Sequence, residues 1–528
     1  MAAIQPFTPA RSHRCSLKPP TRRARIGKSK QATKEPAQPL PNSNDYNMGV
    51  GRGKQRTATM SARTESRQTQ EPSAEAATSA YLQRLRERQN AYLQRMAPLW
   101  AQAHPYARRV LREHGLTPDD FRTVDDIPKL PTMTKQDYIR DPESFRLDPV
   151  CANGLSLEER TIADIIYTAG STGDPTPFYD TVHDRFARID LLERGARIAG
   201  VGPDDTVMNL FPLSAVPHQG YLSATWGAMA TGSKLLSAHT GRAYADFPVH
   251  RRMDEAIDLI ENQRATVLWG ITSYVRRVIL RAEELGKNFS AVRLVMAMGE
   301  PCPTAMRDDM RARLTRLGSP QITVNNGYGM TELMGPSTEC RENGGAHLPA
   351  PEQFHFEVVD PQTYAPVPDG AWGLLVLTHL NRRGTVLLRY AAGDVVALTH
   401  EQCPHCGRYE PRFLGSPYRV DGLTKVKGTL VNPAMLLEGL SGLLSRGVRE
   451  YQVVISRETP HDPLSADILR VRAACAEAER ERLRHEIAAT VRAETEISPE
   501  IEFLPADGFG EIAGGYKFKR FVDERVDM

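Results

Sequence analysis

Residues 250–271 read HRRMDEAIDLIENQRATVLWGI, a charged segment of helix length that runs directly into a short, unbroken apolar one. A continuous apolar run of this length reads as a strand covered on both faces, and the segment before it as a crossover helix. The same kind of run recurs on either side: DTVMNLF at 205–211, VRLVMAMGE at 292–300 and ITVNNGY at 322–328, again separated by helix-length segments. Strands that alternate with helices predict an α/β fold with mostly parallel sheet.

Further along, FHFEVVD (354–360), GLLVLTHL (373–380) and GTVLLRYAAGDVVAL (384–398) lie close enough together for hairpins, which predicts a β-rich antiparallel subdomain. From about Asp421 the alternation restarts on a smaller scale, with YQVVISR, the charged helix CAEAERERLRHEIAATVRAE and EIEFLP. This predicts a separate small α+β domain. Upstream, YLQRLRERQNAYLQRMAPLW (81–100) carries its apolar residues along one stripe, so an amphipathic helix is expected from about Thr78, and LPTMTKQDYIRD (130–141) carries a helix start. The expected organisation is a tail over 1–75, a large domain over 76–418 and a small one over 419–528.

The chain of 528 residues is too long for one core. A net charge of +3 provides no bulk field for nucleic acid or acidic membranes, and no run of eighteen apolar residues predicts a membrane span. Seven cysteines in such a length read as thiols or metal ligands in a reducing, cytoplasmic setting rather than as a disulfide framework. The first 75 or so residues are basic, rich in Pro and Ser and poor in apolar residues, and are expected to be disordered. A transit peptide, sequence ahead of a start at Met48 or Met60, and a nucleic-acid-binding tail are alternatives to a dispensable tail; the charges lack the interleaved aromatics that base stacking needs.

IIYTAGSTGDPTPFYD (165–180) packs Thr168, Gly170, Ser171, Thr172 and Gly173 into six positions. Glycines and hydroxyls in this density suit a phosphate cradle, although a surface turn has the same composition. A Walker loop would continue with Lys-Ser or Lys-Thr after its last Gly, whereas Asp174 and Pro175 follow.

Together with YTAGSTGDPT, the segments NNGYGMTELMGPS, RYAAGD, RVDGLTKVKG and GYKFKRFVDER occur in one order and resemble the signatures of adenylate-forming enzymes, in particular the phenylacetate–coenzyme A ligase branch. The resemblance covers roughly residues 80–528. It implies a large N-terminal domain and a small mobile C-terminal domain, with ATP between them. It also implies activation of a carboxylic acid as acyl-AMP, followed by transfer to coenzyme A. Under it, Ser171, Thr172 and Gly173 cradle the outer phosphates, with Thr168 assisting. Tyr328 stacks on adenine, Thr331 meets the α-phosphate region, and Glu332 holds Mg²⁺, a hard cation suited to carboxylate. Asn326, Gly329 and Met330 belong to the same strip, and Gly299, Glu300 and Pro301 line the adenine. Asp394 accepts from both ribose hydroxyls, Arg419 joins the nucleotide site, and Asp421 and Gly422 form the hinge. Lys517 reaches the acyl-phosphate oxygens, with Lys519, two positions on, as the rival.

Cys403 and Cys406 in CPHCGR, with Cys340 and His347 in ECRENGGAHLP, make a Cys₃His set, and the same branch implies a structural zinc there. A redox pair is the alternative, and His405 is left as a non-ligand or substitute. His218, Tyr221 and Trp226, with Gly270, stand where the family walls its acyl pocket. Aromatic walls suit a small aromatic or heteroaromatic acid, and core packing is the competing reading. Two departures stand out. Tyr418 precedes Arg419 and Gly422 stands in place of a second Asp, and Leu430 occupies an Asn position of the segment that serves thioester formation. The acceptor is therefore coenzyme A or else an amine, a carrier-protein thiol or another nucleophile. A homodimer is allowed, and a non-catalytic nucleotide- or zinc-binding scaffold is the reading from another class.

Overall fold

The computed structural model describes residues 74–168, 176–213, 218–240 and 251–525, apart from 423, 461, 463, 464, 506, 507 and 510–517. The basic tail, Ser171 to Gly173 and Lys517 therefore lie outside the described residues.

Helix α1 (Ala74–Ala103) opens the described chain, four residues earlier than the apolar stripe predicts, because a stripe reports the buried face and not the solvated first turn. It is followed by α2 (Pro105–Glu113), α3 (Lys135–Arg140) and α4 (Leu157–Arg160). Thr134 starts α3 through a capping box with Asp137, the signal visible in the sequence. Strands β1 (Ile162–Tyr167) and β2 (Pro177–Thr181) pair antiparallel around the Gly/Ser/Thr-rich segment. Helix α5 (Val182–Ile198) then starts at Thr181, whose hydroxyl accepts from the Asp184 N–H while Asp184 reaches back.

The alternating part comprises β3 (Thr206–Asn209), α6 (Gln219–Thr231), β4 (Lys234–Ser237), α7 (Met253–Asn262), β5 (Val267–Ile271), α8 (Thr272–Glu284), β6 (Leu294–Met298), α9 (Thr304–Arg316) and β7 (Thr323–Tyr328). Its strands run parallel in the order β4-β3-β5-β6-β7. Every residue of β5 and β6 is buried, as their unbroken apolar reading requires. Gly227 of α6 has a packing reason: a Cβ there would come within 2.8 Å of the Trp269 ring on β5.

Antiparallel strands β8 (Ser337–Glu339), β9 (Ala346–His347), β10 (Phe354–Val359), β11 (Trp372–His379), β12 (Tyr390–Thr399) and β13 (Arg412–Arg419) follow. They are not a detached subdomain: β8 pairs with β7, so that parallel and antiparallel halves form one 11-stranded sheet, β10-β11-β12-β13-β9-β8-β7-β6-β5-β3-β4. That sheet ends at Arg419. Beyond it come the hairpin β14 (Thr424–Val426) and β15 (Thr429–Val431), then α10 (Pro433–Ser441), β16 (Glu450–Arg457), β17 (Asp467–Ala474), α11 (Arg480–Thr495), β18 (Glu500–Leu504) and β19 (Phe521–Asp523). The last four strands make a separate sheet, β18-β17-β16-β19, the α+β unit expected from about Asp421. One continuous apolar core nevertheless runs from α7, α8 and α9 into α10, β16, β17 and α11. No described helix is long and apolar enough to cross a membrane.

Candidate nucleotide and metal sites

The carboxyl ends of the parallel strands, where open α/β sheets bind ligands, carry most of the motif residues. β7 ends at Tyr328, and the turn Thr331–Leu333 follows, with Thr331, Glu332 and Leu333 all buried. Gly329 is dictated by packing, since a Cβ would lie 2.9 Å from the Pro336 Cα. The Asn326 side chain accepts from the Gly327 N–H at 3.0 Å, and the Asn326 backbone N–H donates to Glu339 Oε2 at 2.6 Å. Gly299 takes φ +79°, a left-handed turn that carries Glu300 and Pro301 off β6.

Asp394 and Glu332 are each met by a tyrosine. The Tyr328 hydroxyl donates to Asp394 Oδ2 at 2.8 Å, and the Tyr390 hydroxyl donates to Glu332 Oε1 at 2.9 Å. Arg419 faces Asp394 in register across β12 and β13, and its Nη1 donates to Asp394 Oδ1 at 3.4 Å and to the Ala392 carbonyl at 3.0 Å. Gly393 makes room for that guanidinium: a Cβ there would lie 2.7 Å from Arg419 Nη2. Burial raises the Glu332 carboxyl pKa, and the Tyr390 hydrogen bond opposes the shift. Met330 lends its carbonyl to Gln219 at 3.4 Å. The Glu332 carbonyl receives a hydrogen bond from His379 Nε2 at 2.8 Å, while Leu387 N–H donates to His379 Nδ1 at 3.0 Å. Burial lowers the His379 pKa to about 3, so the ring is neutral and fixed in one tautomer.

At the other motif positions the placement is mixed. Thr168 Oγ1 accepts from Thr176 N–H at 3.0 Å, closing the base of the segment that holds Ser171, Thr172 and Gly173. His218 caps α6, its Nδ1 accepting from Gly220 N–H at 3.1 Å. Trp226 packs on the cluster of Leu191, Leu192 and Met334, the core role weighed against a pocket wall. Tyr221 is half-buried with its hydroxyl 3.4 Å from Ser237, and Gly270 admits Leu210, whose Cβ lies 2.7 Å from where a Gly270 Cβ would sit. Val420–Gly422 forms a single turn directly after β13. Lys519 is described, and its carbonyl accepts from Gln452.

Two residues of this region escaped the sequence reading. Tyr390 was findable, since it lies four positions before Asp394 in the same RYAAGD segment. Arg188 was not. Fully buried, it donates to both oxygens of Asp180, to Gln219 at 3.1 Å and to the Met334 carbonyl, joining β2, α6 and the Thr331–Leu333 turn across gaps in sequence that no local pattern reveals.

The four Cys/His residues do converge. Pairing of β13 with β9 sets Arg412 opposite His347, which brings the Cys403–Cys406 turn over Cys340 and His347. All four ligand atoms lie within 4.8 Å of one another, with Cys340 Sγ 3.8 Å from Cys403 Sγ and Cys406 Sγ 3.5 Å from His347 Nε2. Tetrahedral zinc with bonds of about 2.3 Å to sulfur places sulfurs roughly 3.8 Å apart, so the set fits. Burial and the nearby arginines 412 and 408 lower His347 to about 4, leaving a neutral imidazole, and its Nδ1 has no partner at hydrogen-bond geometry. Burial pushes the Cys340 thiol up to about 12, a shift that a bound cation reverses.

The AMP-binding enzyme family profile matches residues 107–381. Among curated proteins, a phenylacetate-coenzyme A ligase of Thermus thermophilus is 27% identical over 462 residues, covering 84% of this chain and 97% of the relative. Its Escherichia coli namesake is 27% identical over 379 residues, covering 70% and 80%. Among solved structures, 2-hydroxyisobutyryl-CoA ligase in the postadenylation state, in complex with R3-HIB-AMP, matches with TM-score 0.68 and 22% identity over 86% of this chain and 90% of that one. The architecture is that of adenylate-forming enzymes.

Proposed function

The chain belongs to the AMP-binding enzyme family and is an AMP-forming acid–CoA ligase, and from that premise we propose that it activates a small aromatic or heteroaromatic carboxylic acid with Mg-ATP. The observation that carries the nucleotide half is the pair of carboxylates, Glu332 and Asp394, each oriented by a tyrosine hydroxyl at one end of the sheet. A carboxylate is a weak nucleophile towards ATP, so the reaction needs the charge of the phosphates neutralised and pyrophosphate drawn off. Glu332, oriented by Tyr390, would hold Mg²⁺, which would supply charge against that of the phosphates. Asp394 would exchange the Tyr328 hydroxyl for the ribose hydroxyls, with Arg419 keeping the carboxylate in place. Ser171, Thr172 and Gly173 would bind the outer phosphates from the segment that Thr168 closes. Lys517, adjacent in sequence to Phe518, would meet the acyl-phosphate oxygens. Residues 419–528 would form the mobile lobe, turning about Asp421 and Gly422.

Aromatic selectivity has narrower support. His218 and Trp226 have structural duties, which leaves Tyr221, half-buried beside Ser237, as the main candidate wall. Zinc in the Cys₃His set would be structural, because four protein ligands leave no open position. One feature favours a second acceptor: Leu430, 63% exposed on β15, offers no polar group to a coenzyme A thioester site. The test is pyrophosphate release with Mg-ATP across a panel of aromatic and heteroaromatic acids, with and without coenzyme A, beside Lys517→Ala. Acid-dependent release that the variant loses is the expected result. Product formation with an amine or carrier thiol in place of coenzyme A would move the acceptor assignment, and silence across the panel would remove the aromatic one.

A further inference from the structure

Glu300 does more than leave β6 beside the proposed adenine site. Its carboxylate accepts from Ser273 N–H (3.0 Å, Oε2) and Ser273 Oγ (3.0 Å, Oε1) at the start of α8, where the helix dipole favours negative charge. The same Oε1 accepts the backbone N–H of Phe518 at 2.8 Å, 218 positions away in the C-terminal unit. Arg520, two residues further, lies with Nη1 3.9 Å from Glu300, while its Nη2 is bonded to both oxygens of Glu450 at 2.9 and 3.0 Å. Both Glu300 and Arg520 side chains are only 7% exposed.

A matching contact of opposite sign sits beside it. Arg276 of α8, with no exposed side-chain surface, donates to Asp309 of α9 at 2.9 Å. From the same guanidinium, Nη1 donates to the Arg449 carbonyl at 2.7 Å and lies 3.5 Å from Glu450. Each charge thus has a partner on its own side of the boundary: Glu300 has Ser273, Arg276 has Asp309, and Arg520 has Glu450. Separation of the two units would strand no ion, and this matters because an unpaired buried charge is strongly destabilising. Contacts of this kind hold a position without making departure prohibitive.

We propose that Glu300 is the docking residue that seats the C-terminal lobe for adenylation, gripping the chain at Phe518 and Arg520, with Arg276 as its complement on Glu450. Glu300 is then a positioning residue: it acts on the reaction through the segment next to Lys517, and in this respect rests on the reading of Lys517 given above. The proposal assigns this grip to adenylation alone, so the two half-reactions are expected to respond differently.

The test compares Glu300→Ala and Glu300→Gln with the wild-type full-length protein. Adenylation is read as acid-dependent pyrophosphate release, and thioester formation as CoA consumption from chemically prepared acyl-AMP. In Glu300→Ala, adenylation is expected to fall on the order of tenfold to a hundredfold, and transfer from acyl-AMP, which keeps the same adenine contacts, to fall markedly less. Glu300→Gln keeps an acceptor for Phe518 N–H and is expected to recover part of the loss. Equal losses in both half-reactions, or no loss in either, would overturn the proposal. An independent arm measures the distance between spin-labelled noncanonical residues at the exposed positions Asn262 and Glu481, in the presence of a non-hydrolysable ATP analogue. A broadened distribution in Glu300→Ala is expected, and an unchanged one overturns the seat. If Lys517→Ala leaves adenylation intact, the lysine assignment fails alone, and the distance arm still decides the seat.

Discussion

The Cys/His cluster and the proposed nucleotide strip are both built of buried and partly buried polar groups, yet they are satisfied by opposite means. In the strip, Glu332 and Asp394 each have a tyrosine hydroxyl, so the protein meets its own charges before any ligand arrives. In the cluster, three thiols and an imidazole point at one another, and His347 Nδ1 has no partner at hydrogen-bond geometry. Thiols and an imidazole gathered on one point suit a cation, whose charge favours the thiolates. Groups already paired with neutral hydroxyls can trade partners with a ligand. The first arrangement suits a permanent structural ion, the second a catalytic cycle.

Breaking the cluster is expected to have the largest effect. Cys403→Ser should abolish zinc binding, measured by metal analysis of the purified protein, and cost about 3 kcal/mol or more of stability in thermal unfolding. A variant that retains its melting temperature would erase the contrast. Glu332→Gln attacks the other side: adenylation should drop about a hundredfold or more, roughly 3 kcal/mol in activation free energy, with zinc content unchanged. Because burial raises the Glu332 pKa, the ionised carboxylate opposes folding as pH rises above its unfolded value, and the same variant should melt no lower at neutral pH.

His104 sharpens the comparison as a second buried histidine. Burial lowers it to about 4, as for His347, but both its nitrogens are engaged, Nε2 with the Val386 carbonyl at 2.9 Å and Nδ1 with Ala107 N–H at 3.0 Å. A histidine whose folded pKa is depressed binds its proton more readily when unfolded. Stability is therefore lost as pH falls from about 6.5 towards 4, reaching about 2 kcal/mol at pH 5. Urea titrations at pH 7 and pH 5 should show a loss to which the likewise depressed His347, His355 and His379 also contribute, and His104→Asn should shrink the difference by about 2 kcal/mol. Tyr390→Phe is the mildest change. It deletes one hydrogen bond to Glu332, worth about 1 kcal/mol, and should raise the Mg-ATP requirement several-fold in steady-state assays while leaving the affinity for acid unchanged.

Much of this was legible along the chain. The unbroken apolar runs at β5 and β6 declared a parallel sheet, because a strand covered on both faces has no polar alternate positions to hide it. The Cys₃His set was legible from residue type, since few other chemistries use those groups together. Strand β17 escaped notice because DILRVRAA mixes charged and apolar residues on a half-covered sheet. The pocket reading of His218 and Trp226 met a different limit. Residue type does not reveal whether a ring faces a cavity or a neighbouring helix, and here one caps α6 and the other packs on α5.

By itself, then, the sequence determined the alternation of elements, the candidate Cys₃His set and the order of the family motifs, since each depends on spacing along the chain or on the chemistry of single side chains. Only the tertiary structure decided that the antiparallel strands extend the parallel sheet, that Tyr390 and Tyr328 orient the two carboxylates, and that Arg188 joins three segments. It alone paired Glu300 with Phe518 and Arg276 with Glu450. Such contacts join residues up to 218 positions apart. Their geometry is set by packing of whole elements, and no local pattern encodes which distant groups that packing will bring within 3 Å.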